Sequence, residues 1–120
     1  MKAKRVHVDY LRDMLDATEK AIRFTTKMDF TAFAADDKTV FAVVRALEIL
    51  GEAAKKIPKS VRDRCSDLPW RAIAGIRDKL IHEYFGVNLQ VVWQTVQDDL
   101  PSLHTALTRL LADIGEDESP

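Results

Sequence analysis

Apolar positions recur at three- and four-residue intervals along most of this chain, the spacing that lines one face of an α-helix and not one face of a strand. Val8, Leu11, Leu15, Thr18 and Ile22 follow it, and Met14 and Ala21 widen the stripe, which predicts a long amphipathic helix from about residue 7 to residue 27. The stretch DFTAFAADD sets two aromatics among turn formers and predicts a short helical turn, with Asp36 or Asp37 as N-cap of the next element. Val40, Phe41, Val44, Leu47, Leu50 and Ala54 define a second long helix, ended before Pro58 and expected to lie antiparallel to the first. Gly51 inside it costs about 1 kcal/mol relative to alanine, so a neighbouring backbone is expected to approach closely there. Ser60 is expected to cap a short helix through Arg64.

After SDLPW, the run WRAIAGIRDKLIHEYF reads as a third long helix, with Pro69 near its first turn and Gly86 near its end. Asn88 is expected to cap a last helical region that reaches Ile114 and that Pro101 should kink or divide. The expected fold class is therefore all-α, an up-and-down bundle of four to five helices. Residues 1–114 are read as one domain, since 120 residues support a single core, and residues 115–120, GEDESP, as a disordered acidic tail.

Composition narrows the class. Hydrophobic residues at 47% and charged residues at 31% suit a folded chain and exclude a disordered one. The single cysteine, Cys65, cannot form an internal disulfide, and no apolar stretch approaches the roughly 20 residues of a membrane span, so a cytoplasmic protein without membrane partners is expected. The opening MKAKRVHVDYLRDML lacks the apolar core of a signal peptide and is read as a mature N-terminus. A net charge of −1 gives no global attraction to nucleic acid, so any RNA site has to be local. The middle of the chain is where charge collects: from Lys55 to Lys79 eight basic residues face three acidic ones. Lys55, Lys56, Lys59, Arg62, Arg64 and Lys79 are the candidate RNA-phosphate contacts within it. A solvated face or a contact with an acidic protein would leave the same pattern.

The chemistry-bearing segment is Arg77 to Tyr84, RDKLIHEY. Metal-independent RNA cleavage needs one proton removed from a 2′-hydroxyl, one delivered to the departing oxygen, and stabilisation of charge at phosphorus. His82 can move a proton near neutrality, Arg77 offers a fixed cationic fork to phosphate oxygens, and Tyr84 can stack on a base or orient a phosphate. On one straight helix, at about 100° per residue, Tyr84 nearly eclipses Arg77 while His82 points about 140° away. Either the helix loosens near its end or the Arg and His of two chains meet across a two-fold axis, and the second option makes a composite, homodimeric site. Asp78 four residues before His82, and Lys79 four before Glu83, also match ordinary surface pairs. Glu48 and Glu52, beside Gly51, are candidate supports that could orient His82 or Arg77 across the bundle. His7 and His104 have no partners at ligand spacing, so neither a metal site nor a cofactor is expected.

ALEILGEAAKKIP followed by PWRAIAGIRDKLIHEYFGVN and then VVWQTVQDDLPSL resembles the HepT-like family within the HEPN superfamily, over about Tyr10 to Leu111. The family's motif, Arg, four to six residues, His, any residue, Tyr, is matched at Arg77, His82 and Tyr84 with a four-residue spacer. The resemblance implies a HEPN-like helical homodimer whose motif helices line a shared cleft. It implies a metal-independent endoribonuclease, the toxin of a toxin–antitoxin pair, that leaves a cyclic phosphate product. It further implies an MNT-type nucleotidyltransferase antitoxin that transfers AMP to Tyr84, placing phosphate charge and bulk where RNA phosphate should sit. A noncatalytic HEPN dimer that binds nucleotide or the nucleotidyltransferase is the alternative the resemblance leaves open.

Overall fold

The computed structural model describes residues 2–80 and 86–118, with side-chain surroundings for residues 7–80 and 86–115. The described residues are helical almost throughout and contain no strand, so the all-α expectation is borne out. Helix α1 spans Lys2–Phe24. It stops short of the expected residue 27 because Lys27 takes a left-handed φ of 66°, which no helix continues through. Thr25 and Thr26 then return their hydroxyls to the free carbonyls of Ala21 and Ile22.

The expected turn at DFTAFAADD is helix α2, Phe30–Ala34, capped by the Asp29 carboxylate, which accepts from the Ala32 N–H. Helix α3, Asp37–Lys55, starts at Asp36, whose carboxylate accepts from the Thr39 N–H at 3.1 Å. That backbone donor, first among its causes, holds the Asp36 pKa below the usual carboxylate value. Tyr10 and Asp13 of α1 share a groove with Ile49, Glu52 and Ala53 of α3 and with Lys56 just past its end, so the N-terminal half of one helix lies beside the C-terminal half of the other. The two are antiparallel, as their sequence pattern predicts.

Two local expectations change. Pro58, and not Ser60, occupies the N-cap position of helix α4, Lys59–Arg62, with its carbonyl accepting from Val61 and Arg62; its fixed φ of −72° prepares the first turn without any side-chain cap. Within the described residues the third long helix is two short ones, α5 over Trp70–Ala74 and α6 over Ile76–Leu80. Gly75 separates them at φ −92° and ψ 11°, outside helical geometry, at the residue type that after proline favours helix least. Gly86, at φ +78°, takes the left-handed conformation that glycine allows freely, and Asn88 N–H closes back on the Leu80 carbonyl at 2.8 Å.

Asn88 caps helix α7, Leu89–Gln94, by accepting from the Val91 N–H. From there the chain stays helical into α8, Leu100–Glu118, through a π-turn at Thr95–Asp99 in which Leu100 N–H reaches Thr95 O. Pro101 therefore neither splits the helix nor leaves a broken gap; the wider turn just before it takes up the clash and the missing donor.

The core is a continuous apolar cluster in which Leu11, Met14, Leu47, Leu50, Leu80, Val92, Leu100 and Leu107 are almost wholly buried. Helix α1 packs chiefly on α3 and next on α8, while α3 also receives α5 and α6. The α1 and α8 helices are linked at the surface by Glu19 and His104, 3.0 Å apart. Trp70 is core, with its indole N–H donating to the Cys65 carbonyl, and Trp93 packs against Phe30 and Phe33.

Candidate active site around Arg77

The site begins with Gly51. A Cβ placed there would lie 2.8 Å from Ile76 Cγ2, closer than real contacts allow, and a tight 3.2 Å from the Ile73 carbonyl oxygen. Only a bare glycine lets α5 and α6 settle this near α3, which is the close approach predicted from the sequence. Ile76 and Leu80 then point into the core, and the three residues between them, Arg77, Asp78 and Lys79, are exposed. One turn before Gly51, Glu48 stands beside Arg77, the residue after Ile76. The Arg77 Nε lies 3.8 Å from Glu48 Oε2, and on the other carboxylate oxygen Arg45 Nη1 lies 4.0 Å from Oε1. Glu48 is 27% exposed, against 61% for Arg77 and 70% for Arg45. One half-buried carboxylate thus stands between two guanidiniums that face solvent.

The remaining candidates divide. Glu52 turns to Lys55, 3.3 Å away, and not toward Arg77. Lys59 pairs with Asp63 at 2.8 Å, and Lys56 is exposed at the end of α3. The Arg62 Nε is buried without a hydrogen-bond partner, while Arg64 is exposed and engaged. Lys79 lies 3.9 Å from Asp99 of the π-turn, where both line an apolar cavity of about 220 Å³ walled by Leu50, Ile73, Ile76, Leu100 and Leu103. Lys79 and Arg77 therefore serve different neighbours. His82 and Tyr84 lie outside the described residues. Among the described residues no three His, Cys, Asp or Glu side chains gather to hold a metal ion, and no helix is long and apolar enough to cross a membrane.

Sequence reasoning passed over Arg45. Its spacing of three from Glu48 was a signal, but such pairs are common on helix surfaces, and only the contact between α3 and α6 gives this one its meaning.

The architecture is that of an all-helical domain whose exposed arginine stands on a short helix packed through a glycine against the second long helix. Comparison with known proteins names the group. The pattern of the family described as "Ribonuclease HepT-like" matches residues 14–110, and the chain belongs to that family. It is 50% identical over 107 residues, 89% of this chain and 97% of the relative, to the "Probable ribonuclease HepT" of Thermococcus cleftensis. It is 40% identical over 111 residues, 92% of each chain, to the "Putative RNase MJ1216" of Methanocaldococcus jannaschii. It is 43% identical over 102 residues, 85% of this chain and 91% of the relative, to the "Putative RNase TTE0752" of Caldanaerobacter subterraneus subsp. tengcongensis. No solved structure matches the chain.

Proposed function

We propose that this chain is a metal-independent endoribonuclease that acts as a homodimer, with Arg77 and His82 as catalytic residues. The observation that carries the reading is the solvent-facing Arg77 guanidinium, set within the segment that matches the ribonuclease family. In the proposed reaction a 2′-hydroxyl oxygen attacks the adjacent phosphorus as the bond to the 5′-oxygen breaks, leaving a cyclic phosphate and a free 5′-hydroxyl. His82 moves one of the two protons, and Arg77 stabilises the negative charge that builds on the phosphoryl oxygens. Glu48 is a positioning residue that aims the Arg77 side chain.

Homodimerisation answers the divergence that one straight helix would impose on Arg77 and His82. Phe41 supports it: this aromatic is 77% exposed on α3, one helical turn before Arg45 and two before Glu48, so a self-complementary contact through Phe41 would seal a cleft beside the two guanidiniums. Tyr84 is assigned to RNA contact and to AMP transfer by an MNT-type nucleotidyltransferase antitoxin; the chain would then be the toxin of that pair, acting in the cytoplasm. Lys55, Lys56, Lys59, Arg62, Arg64 and Lys79 are outlying phosphate contacts, and Asp78, four residues before His82 in the sequence, is a supporting residue.

The experiment is cleavage of single-stranded RNA by the purified chain and by its Arg77→Ala and His82→Ala variants. Each variant should lose at least about a hundredfold in rate while keeping its helical circular dichroism. A His82→Ala protein that cuts at the wild-type rate rejects the assignment, and a wild-type chain that neither cuts RNA nor slows growth on expression favours the noncatalytic alternative. Intact mass after coexpression with the nucleotidyltransferase should rise by one or more adenylates, and a Tyr84→Phe chain should not take them.

A further inference from the structure

We propose that Arg45 is a second phosphate-holding guanidinium of the RNA site, set beside Arg77 by their shared carboxylate, Glu48, so that the chain grips two neighbouring phosphates of one strand. This rests on the ribonuclease reading and adds a residue that the motif does not contain. The ion pairs around Arg45 set it apart from the paired lysines only in that its carboxylate is shared. Among the described residues, Lys20, Lys55, Lys59 and Lys79 each face a carboxylate of their own, at Asp16, Glu52, Asp63 and Asp99. Arg45 and Arg77 have one between them, so two exposed guanidiniums share a single ion-paired carboxylate at this point of the surface.

Geometry agrees. Two cations that contact opposite oxygens of one carboxylate stand no farther apart than its width and the two ion-pair distances of 3.8 and 4.0 Å together, near enough for one strand to meet both. Both are more than half exposed, whereas Glu48 between them is mostly covered, so an entering anion meets the guanidiniums first. Arginine, with its planar fork of donors, suits a phosphate better than a lysine would. Arg45 also opens the groove between α1 and α3, about 190 Å³, where Tyr10 and Ile49 offer apolar surface to a base. Asp13 and Glu52 line that groove as well, which limits the anion site to its Arg45 end.

The test uses the full-length chain, its Arg45→Ala and Arg45→Lys variants, and a single-stranded RNA with 2′-O-methyl riboses, so that binding is read without cleavage. Affinity is followed from about 50 to 200 mM salt, and kcat and KM are measured on unmodified RNA. Arg45→Ala should flatten the plot of log affinity against log salt by about 0.7, the increment for one phosphate contact on a single strand, and should raise KM several-fold more than it lowers kcat. Arg45→Lys should restore the salt slope. If the wild-type chain cuts RNA and Arg45→Ala leaves both slope and KM unchanged, the inference is overturned and the ribonuclease reading stands. An affinity loss without a change of slope also overturns it, since that marks a structural effect. If the wild type neither binds nor cuts RNA, both fall.

Discussion

Glu48 carries little of the fold's stability and much of the site's geometry. An ion pair this exposed contributes under about 1 kcal/mol, because water already solvates both guanidiniums and screens their attraction. Its effect on Arg77 is directional: a long, rotamer-rich side chain on the surface is biased toward one arc by the carboxylate beside it. Glu48→Gln keeps the shape and removes the charge. It should change stability by less than about 1 kcal/mol in denaturant unfolding. It should lower kcat several-fold, while KM stays level or falls because one negative charge has left the phosphate site. A variant with wild-type kcat would show that Arg77 needs no such partner. At this scale the sequence put forward candidate reacting groups by residue type. It named Arg77, and it named Glu48 among the residues that could support it. It could not choose between Glu48 and Glu52, four residues apart on one helix, because the choice depends on where α6 crosses α3.

The crossing itself is an affair of elements, and Gly51 controls it. Alanine at this position would gain about 1 kcal/mol in helix propensity, yet its methyl would collide with Ile76 Cγ2 and crowd the Ile73 carbonyl. Neither is the free end of a flexible chain, and overpacking of this kind costs about 1–3 kcal/mol, so the clash wins. Gly51→Ala should lower the unfolding free energy by about 1 kcal/mol and Gly51→Val by more. Gly115, with open space around its Cα, should accept alanine without loss. Cleavage should fall in the Gly51 variants beyond what stability explains, because Arg77 follows the residue that is pushed; a fully active, fully stable Gly51→Val would refute this role. The need for a bare position was readable from a glycine inside a strong helical pattern. The break at Gly75 was not, since an isolated glycine with apolar residues in register on both sides looks the same whether the helix continues or bends. The π-turn at Thr95–Asp99 was half readable: Pro101 announced a disturbance, and packing of Thr95 and Val96 into the core chose its form.

For the whole molecule, the proposed assembly turns on what covers the exposed face of α3. Phe41, 77% exposed, shares a face with Arg45 and Glu48, and an exposed large apolar group beside a charged site suits an interface. Phe41→Asp should leave the helical fold intact, shift the chain to monomer in sedimentation, and abolish RNA cleavage, because each proposed site draws on both copies. A Phe41→Asp dimer that cuts normally would remove this face from the interface.

From the sequence alone came the helical class, the antiparallel pairing of α1 with α3, the cap at Asn88, the narrowing of the α3 cap to Asp36 or Asp37, and the family resemblance, because periodicity, capping and motif spacing are local properties written in neighbouring residues. Tertiary structure decided the rest: which carboxylate meets Arg77, that Arg45 joins it, and that Lys79 turns instead to Asp99. The contact of Arg77 with Glu48 and that of Lys79 with Asp99 join separate elements, and the first depends on how closely two backbones pack at a single glycine, a distance that no local pattern encodes.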